Sequence, residues 1–328
     1  MAKKNTIPNQ QQNPYLFVVG CPRSGTTLLQ RMLDNHPQLA VANDTHFITR
    51  CLKKMKWVID PPLTAELIEQ VKCYRRFPRL GLTDHAVSRA AEKAKTYAEF
   101  VSFLYTEYGN MHRKSLAGEK TPDYVRHLPM LHSLFPQAKS IHIIRDGRDV
   151  ALSTLEWAKA GKGPGRIELW NKEPVAVCAL WWRMNVDFGM RDGMDLGTAV
   201  YREVKYEDLA AWPEKIIQGL ADFLKLPFST EMVKFYVGKT RSNSKLSAKS
   251  AWLPPTTGLR DWRSQMVARD VELFEAIAGE LLSDLGYERV FKTISPEIAA
   301  VAVRCISWWE SSKWHRNSVS KYTNVTNG

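Results

Sequence analysis

The stretch "YLFVVGCPRSGTTLLQRMLDNHP", residues 15–37, decides the fold. It opens with an apolar, β-branched and aromatic run ending in Gly20, the pattern of a short strand buried on both faces of a parallel sheet. Leu28, Leu29, Met32 and Leu33 then recur at helical spacing until Pro37 ends the pattern. In the loop between strand and helix, Gly20 and Gly25 have the glycine, four residues, glycine spacing of a nucleotide-binding P-loop, yet Thr26 stands where that motif requires lysine. A chain that turns sharply from a buried strand into a helix exposes backbone N–H groups and the positive end of the helix dipole. An anion is therefore favoured there with or without the lysine. Ser24, Thr26 and Thr27 add hydroxyl donors, and Arg23 supplies the fixed charge. A bare glycine turn with a solvated arginine would need none of these additions.

The same strand, loop and helix order returns in "SIHIIRDGRDVALSTLEWAKA", residues 140–160, with a strand expected near 141–144 and a helix from about Asp149. "TAVYREVKYEDL", residues 198–209, supplies a third strand near 199–205, and Pro213 with Glu214 opens the helix after it. Strands separated by helical crossovers predict an α/β fold of three layers, P-loop-like, with a central parallel sheet flanked by helices. Residues 51–112 read as mostly helical and predict a cap over the sheet edge, while "AGKGPGR", residues 160–166, reads as a flexible loop. The division expected is a disordered leader at 1–13, a main domain at 14–290, a C-terminal helix at 291–316 and a polar tail at 317–328. That C-terminal helix, starting at Ser295 and Pro296, is expected to pack Trp308, Trp309 and Trp314 onto the fold.

A Walker-type nucleotidase ends the strand of its second motif in an acid that holds Mg²⁺; here Arg145 precedes Asp146. Arg145 is suited to bidentate, charge-assisted anion binding, and Ser153, further along the following helix, can reach back to the same oxygens. The plainer reading pairs Arg145 with Asp146 or Asp149 on the surface. Two anion-binding loops at the carboxyl ends of two parallel strands favour a ligand, because ligands bind at that edge.

Composition bounds the rest. The chain has 328 residues, 46 Lys+Arg against 34 Asp+Glu, and a formal charge of +12, enough to draw a polyanionic ligand. No nucleic-acid-binding motif accompanies the charge, and no stretch is long and apolar enough to span a bilayer. The five scattered cysteines form no metal-ligand pattern and suit reduced thiols, and with no apolar signal core near Met1 a cytoplasmic location is expected.

"GCPRSGTTLLQRMLDNHP" (20–37), "GEKTPDYV" (118–125), "LFPQAKSIHIIRDGRDVALS" (134–153), "VKYEDL" (204–209) and "GLRDWRSQM" (258–266) together resemble the sulfotransferases that use 3′-phosphoadenosine 5′-phosphosulfate. The resemblance is to the branch that shares its motif style with tyrosylprotein sulfotransferases and their bacterial relatives, and it covers roughly residues 14–290. It implies a P-loop-like fold, a donor held between two motifs, and no metal. Arg23, Thr26 and Thr27, with Ser24 and Gly25 in the same loop, match positions that hold the 5′-phosphosulfate, while Arg145 and Ser153 match those for the 3′-phosphate. Lys120 matches a lysine set against the bridging oxygen, and Lys249 and Arg260 are further candidates for touching the nucleotide.

The base is placed less simply. Relatives carry Glu-Thr where this chain has Asp44 and Thr45 in "NDTHF". Asp44 is put first as base and His46, whose free imidazole titrates near neutrality, second. The competing structural readings make Asp44 or Thr45 the cap of the next helix, and make Lys120 an exposed residue before a helix capped by Thr121. The function expected is sulfuryl transfer to a hydroxyl acceptor, whose class, like the oligomeric state, is written in no motif. The rivals are a Mg²⁺-dependent small-molecule kinase and a non-catalytic anion or membrane-surface binder.

Overall fold

A computed structural model describes residues 13–159, 161–237, 254–258, 260–312 and 314. Five strands form one parallel sheet: β1 (Leu16–Val19), β2 (Leu39–Asn43), β3 (Leu116–Lys120), β4 (Lys139–Ile144) and β5 (Tyr201–Lys205), in the order β2-β3-β1-β4-β5. β1, β4 and β5 lie where the sequence predicts strands; β2 and β3 fall in text not read as strands.

The pleat divides the core. Leu16 and Val18 of β1 pack with Leu29, Met32 and Leu33 of the helix Thr26–Asp34, and with Ile217 and Leu220 of the helix Pro213–Phe223. Phe17 and Val19 turn to the other face, where Tyr97, Phe100 and Leu104 of the helix Tyr97–Met111 cover them. With helices on both faces, the architecture is the expected three-layer α/β fold.

The helices at Ala65–Lys72, Asp84–Lys93 and Tyr97–Met111 each start after a threonine whose side chain accepts from a backbone N–H of the first turn: Thr64, Thr83 and Thr96. They belong to the stretch at 51–112 that reads as a helical cap. Their buried residues share one core with Phe17, Ala40 and Ala117 of the sheet, because Tyr97, Val101, Leu104 and Tyr108 give the longest of them an apolar stripe that must be covered. A further core unites the helices Gly147–Ala158, Pro174–Leu196, Ala268–Asp284 and Pro296–Ser311 through residues such as Val150, Trp182, Phe274 and Trp309. The last of these helices opens at Ser295 and Pro296 as predicted; Trp309 is buried, and Trp308 and Trp314 pack against the same core. Within the stretch read as a flexible loop, Gly163–Arg166 form a 3₁₀ turn. Residues 1–12, Lys249 and the tail lie outside the described residues.

The topology locates the site. From β1 the chain crosses through Thr26–Asp34 to β2 on one side of the sheet, and from β4 it crosses to β5 on the other. The carboxyl ends of the neighbours β1 and β4 therefore flank the switch point, the crevice where open α/β sheets bind ligands.

Candidate active site

The loop after β1 is shaped by close approach. Gly20 has φ +150°, and a Cβ there would lie 2.4 Å from the Ile143 carbonyl oxygen of β4; Gly25 has φ +94°, and its Cβ would lie 2.4 Å from Cδ2 of Tyr206. Gly25 begins the helix Thr26–Asp34 with no side-chain cap, so no cap occupies the first-turn N–H groups. Ser24 is fully buried and its hydroxyl has no hydrogen-bond partner among the described residues. Arg23, itself at positive φ, donates from Nε to the Ser153 hydroxyl at 2.9 Å and so links the loop after β1 to the helix after β4.

Arg145 follows β4 and is buried, which corrects the surface-pair reading. One guanidinium nitrogen donates to Asp149 Oδ2 at 3.0 Å, the group stacks over the Tyr206 ring at 4.3 Å, and Nε has no partner among the described residues. Asp149 is held in turn by the Trp262 N–H, and the Trp182 indole donates to the Arg145 carbonyl. Ser153, expected beside Arg145, meets Arg23 instead. Burial lowers the pKa of Arg23, and the positive charges of Arg260 and Arg145 lower it further. Three guanidiniums that repel one another across a crevice holding an orphaned buried N–H and an orphaned hydroxyl form a cradle for a ligand with several negative charges. The group implied by the resemblance, a nucleotide with phosphates at both ends, fits these residues. Arg148, the other arginine of the motif, has a structural part: it is fully buried, paired with Asp146 and Glu275, and stacked on Trp262.

Lys120 ends β3, beside β1. It is fully buried, which rules out the exposed reading, and its ammonium lies 3.1 Å from Asp44 Oδ1 and 3.5 Å from the Thr27 hydroxyl. Thr121 caps nothing; its hydroxyl donates to Glu119, and the turn that follows is a 3₁₀ helix at Pro122–His127. Neither Asp44 nor Thr45 caps the helix Phe47–Lys54, whose N-cap is His46, with no side-chain bond. Asp44 sits at φ 58°, and Arg79 donates to its carbonyl oxygen at 3.0 Å. The His46 ring lies edge-on to Tyr124. Burial lowers its pKa to about 4, with Asp123 opposing and Arg76 assisting, so at neutral pH it is an uncharged imidazole of low basicity.

Of the residues singled out in the sequence, the structure brings Lys120, Thr27 and Asp44 together, as it does Arg23 and Ser153. The sequence reading does not single out Tyr206 or Arg79. Tyr206 lies in "VKYEDL" and Arg79 within residues 51–112, and nothing in the spacing says that one stacks on Arg145 and the other grips the backbone of Asp44.

A P-loop-like α/β fold thus carries Arg23 and Arg145 at the crevice between β1 and β4, Thr26 in place of the P-loop lysine, and a buried Lys120–Asp44 pair beside them. A sequence model of the sulfotransferase family matches residues 14–230, and the chain belongs to that family. It is 25% identical over 240 residues to protein-tyrosine sulfotransferase A of Caenorhabditis elegans, covering 73% of this chain and 57% of that protein. It is likewise 25% identical to protein-tyrosine sulfotransferase 1 of Danio rerio, over 84% of this chain and 72% of that one. Its fold is similar to that of the sulfotransferase domain from the Synechococcus PCC 7002 olefin synthase, with a TM-score of 0.56 and 22% identity over 86% of this chain and 98% of that domain. The chain thus spans little more than half the length of the C. elegans relative.

Proposed function

We propose that this chain transfers a sulfuryl group from 3′-phosphoadenosine 5′-phosphosulfate to an acceptor hydroxyl. One observation carries the reading: the carboxyl ends of three adjacent strands, β3, β1 and β4, present Lys120 with Asp44, the Arg23 loop, and Arg145 respectively. Arg23, Thr26, Thr27 and the uncapped helix start hold the 5′-phosphosulfate; Arg145 and Ser153 hold the 3′-phosphate. The arginines and Lys120 supply the positive charge that a metal supplies in a kinase, so the proposal includes no metal.

The chemistry follows from which groups face each other. Asp44 accepts the proton of the acceptor hydroxyl as its oxygen bonds to sulfur. The bond from sulfur to the bridging oxygen breaks, and its electron pair stays on the leaving phosphate, where the Lys120 ammonium and the Thr27 hydroxyl face the growing charge. The buried Lys120–Asp44 pair keeps cation and base in register in the resting protein. Arg145 where a Walker acid would stand argues against the kinase, and a buried catalytic pair is superfluous in a mere binder. The segment between 51 and 112 is proposed to shape the acceptor side, since its Arg79, in the turn Phe77–Leu80, donates to the Asp44 carbonyl. The relatives named for protein tyrosine make a phenolic hydroxyl one acceptor to test.

The test is turnover of donor against a panel of phenolic, peptide and carbohydrate hydroxyls. Acceptor-dependent release of 3′-phosphoadenosine 5′-phosphate is expected. ADP released from Mg²⁺-ATP would mark a kinase, and donor binding with no turnover across the panel would mark a binder.

A further inference from the structure

The last two residues of β3 point to opposite faces of the sheet. Lys120 faces Thr27; Glu119 faces the helix Tyr97–Met111, where it is completely buried. The alignment of β2 with β3 sets Ala42 opposite Glu119 and Asn43 opposite Lys120, so the chain leaving β2 turns right beside this pair. That turn is unusual. Asp44 has φ 58° and His46 φ 61°, two non-glycine residues in the left-handed region flanking Thr45. Such conformations persist only where their surroundings hold them.

Glu119 is what holds them. Its Oε1 accepts from the Thr45 N–H at 2.9 Å, the Thr45 hydroxyl at 2.5 Å, the His46 N–H at 3.2 Å and the Thr121 hydroxyl at 2.5 Å, and its Oε2 accepts from the Tyr105 hydroxyl at 2.5 Å. All five donors are neutral. A buried carboxylate with neutral partners is an expensive way to fill a core that an apolar side chain would fill more cheaply. Its bonds go to the residues directly after Asp44, while Asp44 itself is tied through its N–H to the Lys120 carbonyl at 2.7 Å.

We infer that Glu119 is a positioning residue: its buried carboxylate fixes the 44–46 turn and thereby aims Asp44 at Lys120 and the acceptor. Glu119 lies on the far face of β3 from Thr27 and touches no group of the donor cradle. The inference rests on the reading of Asp44 as base, and the experiment separates the two. Wild-type turnover and a loss of kcat in Asp44→Asn test the base assignment without touching Glu119. Glu119→Gln, and as a milder variant Thr45→Val in case Glu119→Gln does not fold, then test positioning. With Asp44 displaced, kcat falls about 10- to 100-fold, while the donor KM does not rise. In an Asp44→Asn background, the same substitution changes the residual kcat by less than about two-fold, because its effect runs through a base already removed. Losses that multiply in that background, a donor KM that rises in step with the loss, or a kcat unchanged in both variants overturns the inference.

Discussion

Replacing Asp44 by asparagine separates the two halves of the proposed machinery. The ammonium of Lys120, fully buried, lies 3.1 Å from a carboxylate that is itself only 9% exposed. A hydrogen bond to a charged partner contributes about 1.5 to 3 kcal/mol, and asparagine keeps an oxygen for Lys120 but loses the charge, so the ligand-free protein should lose about 1 to 2 kcal/mol. The donor's phosphosulfate returns negative charge to Lys120. By linkage, the lost stability should reappear as binding, and Asp44→Asn should hold the donor product about 5- to 30-fold more tightly than the wild type. The base is gone at the same time, so kcat should fall by about 10² to 10⁴. Calorimetric titration with 3′-phosphoadenosine 5′-phosphate, beside steady-state kinetics, reads both. General damage to the fold cannot make affinity rise while turnover falls. Weaker nucleotide binding in step with kcat, or an unchanged kcat, would refute the reasoning. His46→Gln should leave kcat nearly intact. The acidic limb of the pH profile does not separate the two candidates, because burial lowers the pKa of His46 to about 4, into the carboxylate range.

Arg145→Ala should raise the donor KM about 10- to 150-fold with little change in kcat at saturation, since contacts to the 3′-phosphate are equal in ground and transition states; an unchanged KM in a donor titration removes the assignment. Gly25→Ala places a methyl 2.4 Å from the Tyr206 ring at φ +94°, costing at least about 1 to 2 kcal/mol of backbone strain, and pushes on the ring that backs Arg145. Both denaturant stability and nucleotide affinity should fall, and a variant as stable as wild type would contradict the close packing. Burial also lowers the pKa of His46 and His132 to about 4 and that of His142 to about 3, against roughly 6.5 in the unfolded chain. Between pH 6.5 and 4 the unfolded chain binds more protons, so stability should fall on acidification by about 1.4 kcal/mol per pH unit for each of them. A Tm that is flat across that window would show these rings are not buried neutral.

The donor half of the site was legible because anion binding writes itself into adjacent residues. Gly20, Arg23, Gly25 and the paired threonines lie within one loop, and Arg145 and Ser153 within one strand-to-helix unit. Asp44 and Lys120 could be named from their motifs, but not their contact, because it is assembled across the sheet. β3 carries a glycine, a glutamate and a lysine among its five residues, a poor strand by propensity, and only its burial between β2 and β1 makes it one. The same burial makes Lys120 the partner of Asp44. The competing reading of Asp44 and Thr45 as helix caps rests on Asp and Thr being good at capping; Lys120 and Glu119 claim their side chains first. In "IIRDGRDVALS" the sequence points to Arg145 but says nothing of Arg148, which the fold sends to a buried network with Asp146, Glu275 and Trp262.

Titration of the protein with 3′-phosphoadenosine 5′-phosphate in EDTA, set against adenosine 5′-phosphate and Mg²⁺-ATP, tests the central claim most directly. Two cationic ends receiving two phosphates require saturable binding without metal, at one nucleotide per chain, with a Tm rise of the order given by about 2.7 kcal/mol at a hundredfold excess over Kd. They also require a loss of about ten-fold or more in affinity when the 3′-phosphate is missing. Equal affinity for the two adenosine nucleotides, or binding of Mg²⁺-ATP alone that EDTA abolishes, would contradict it.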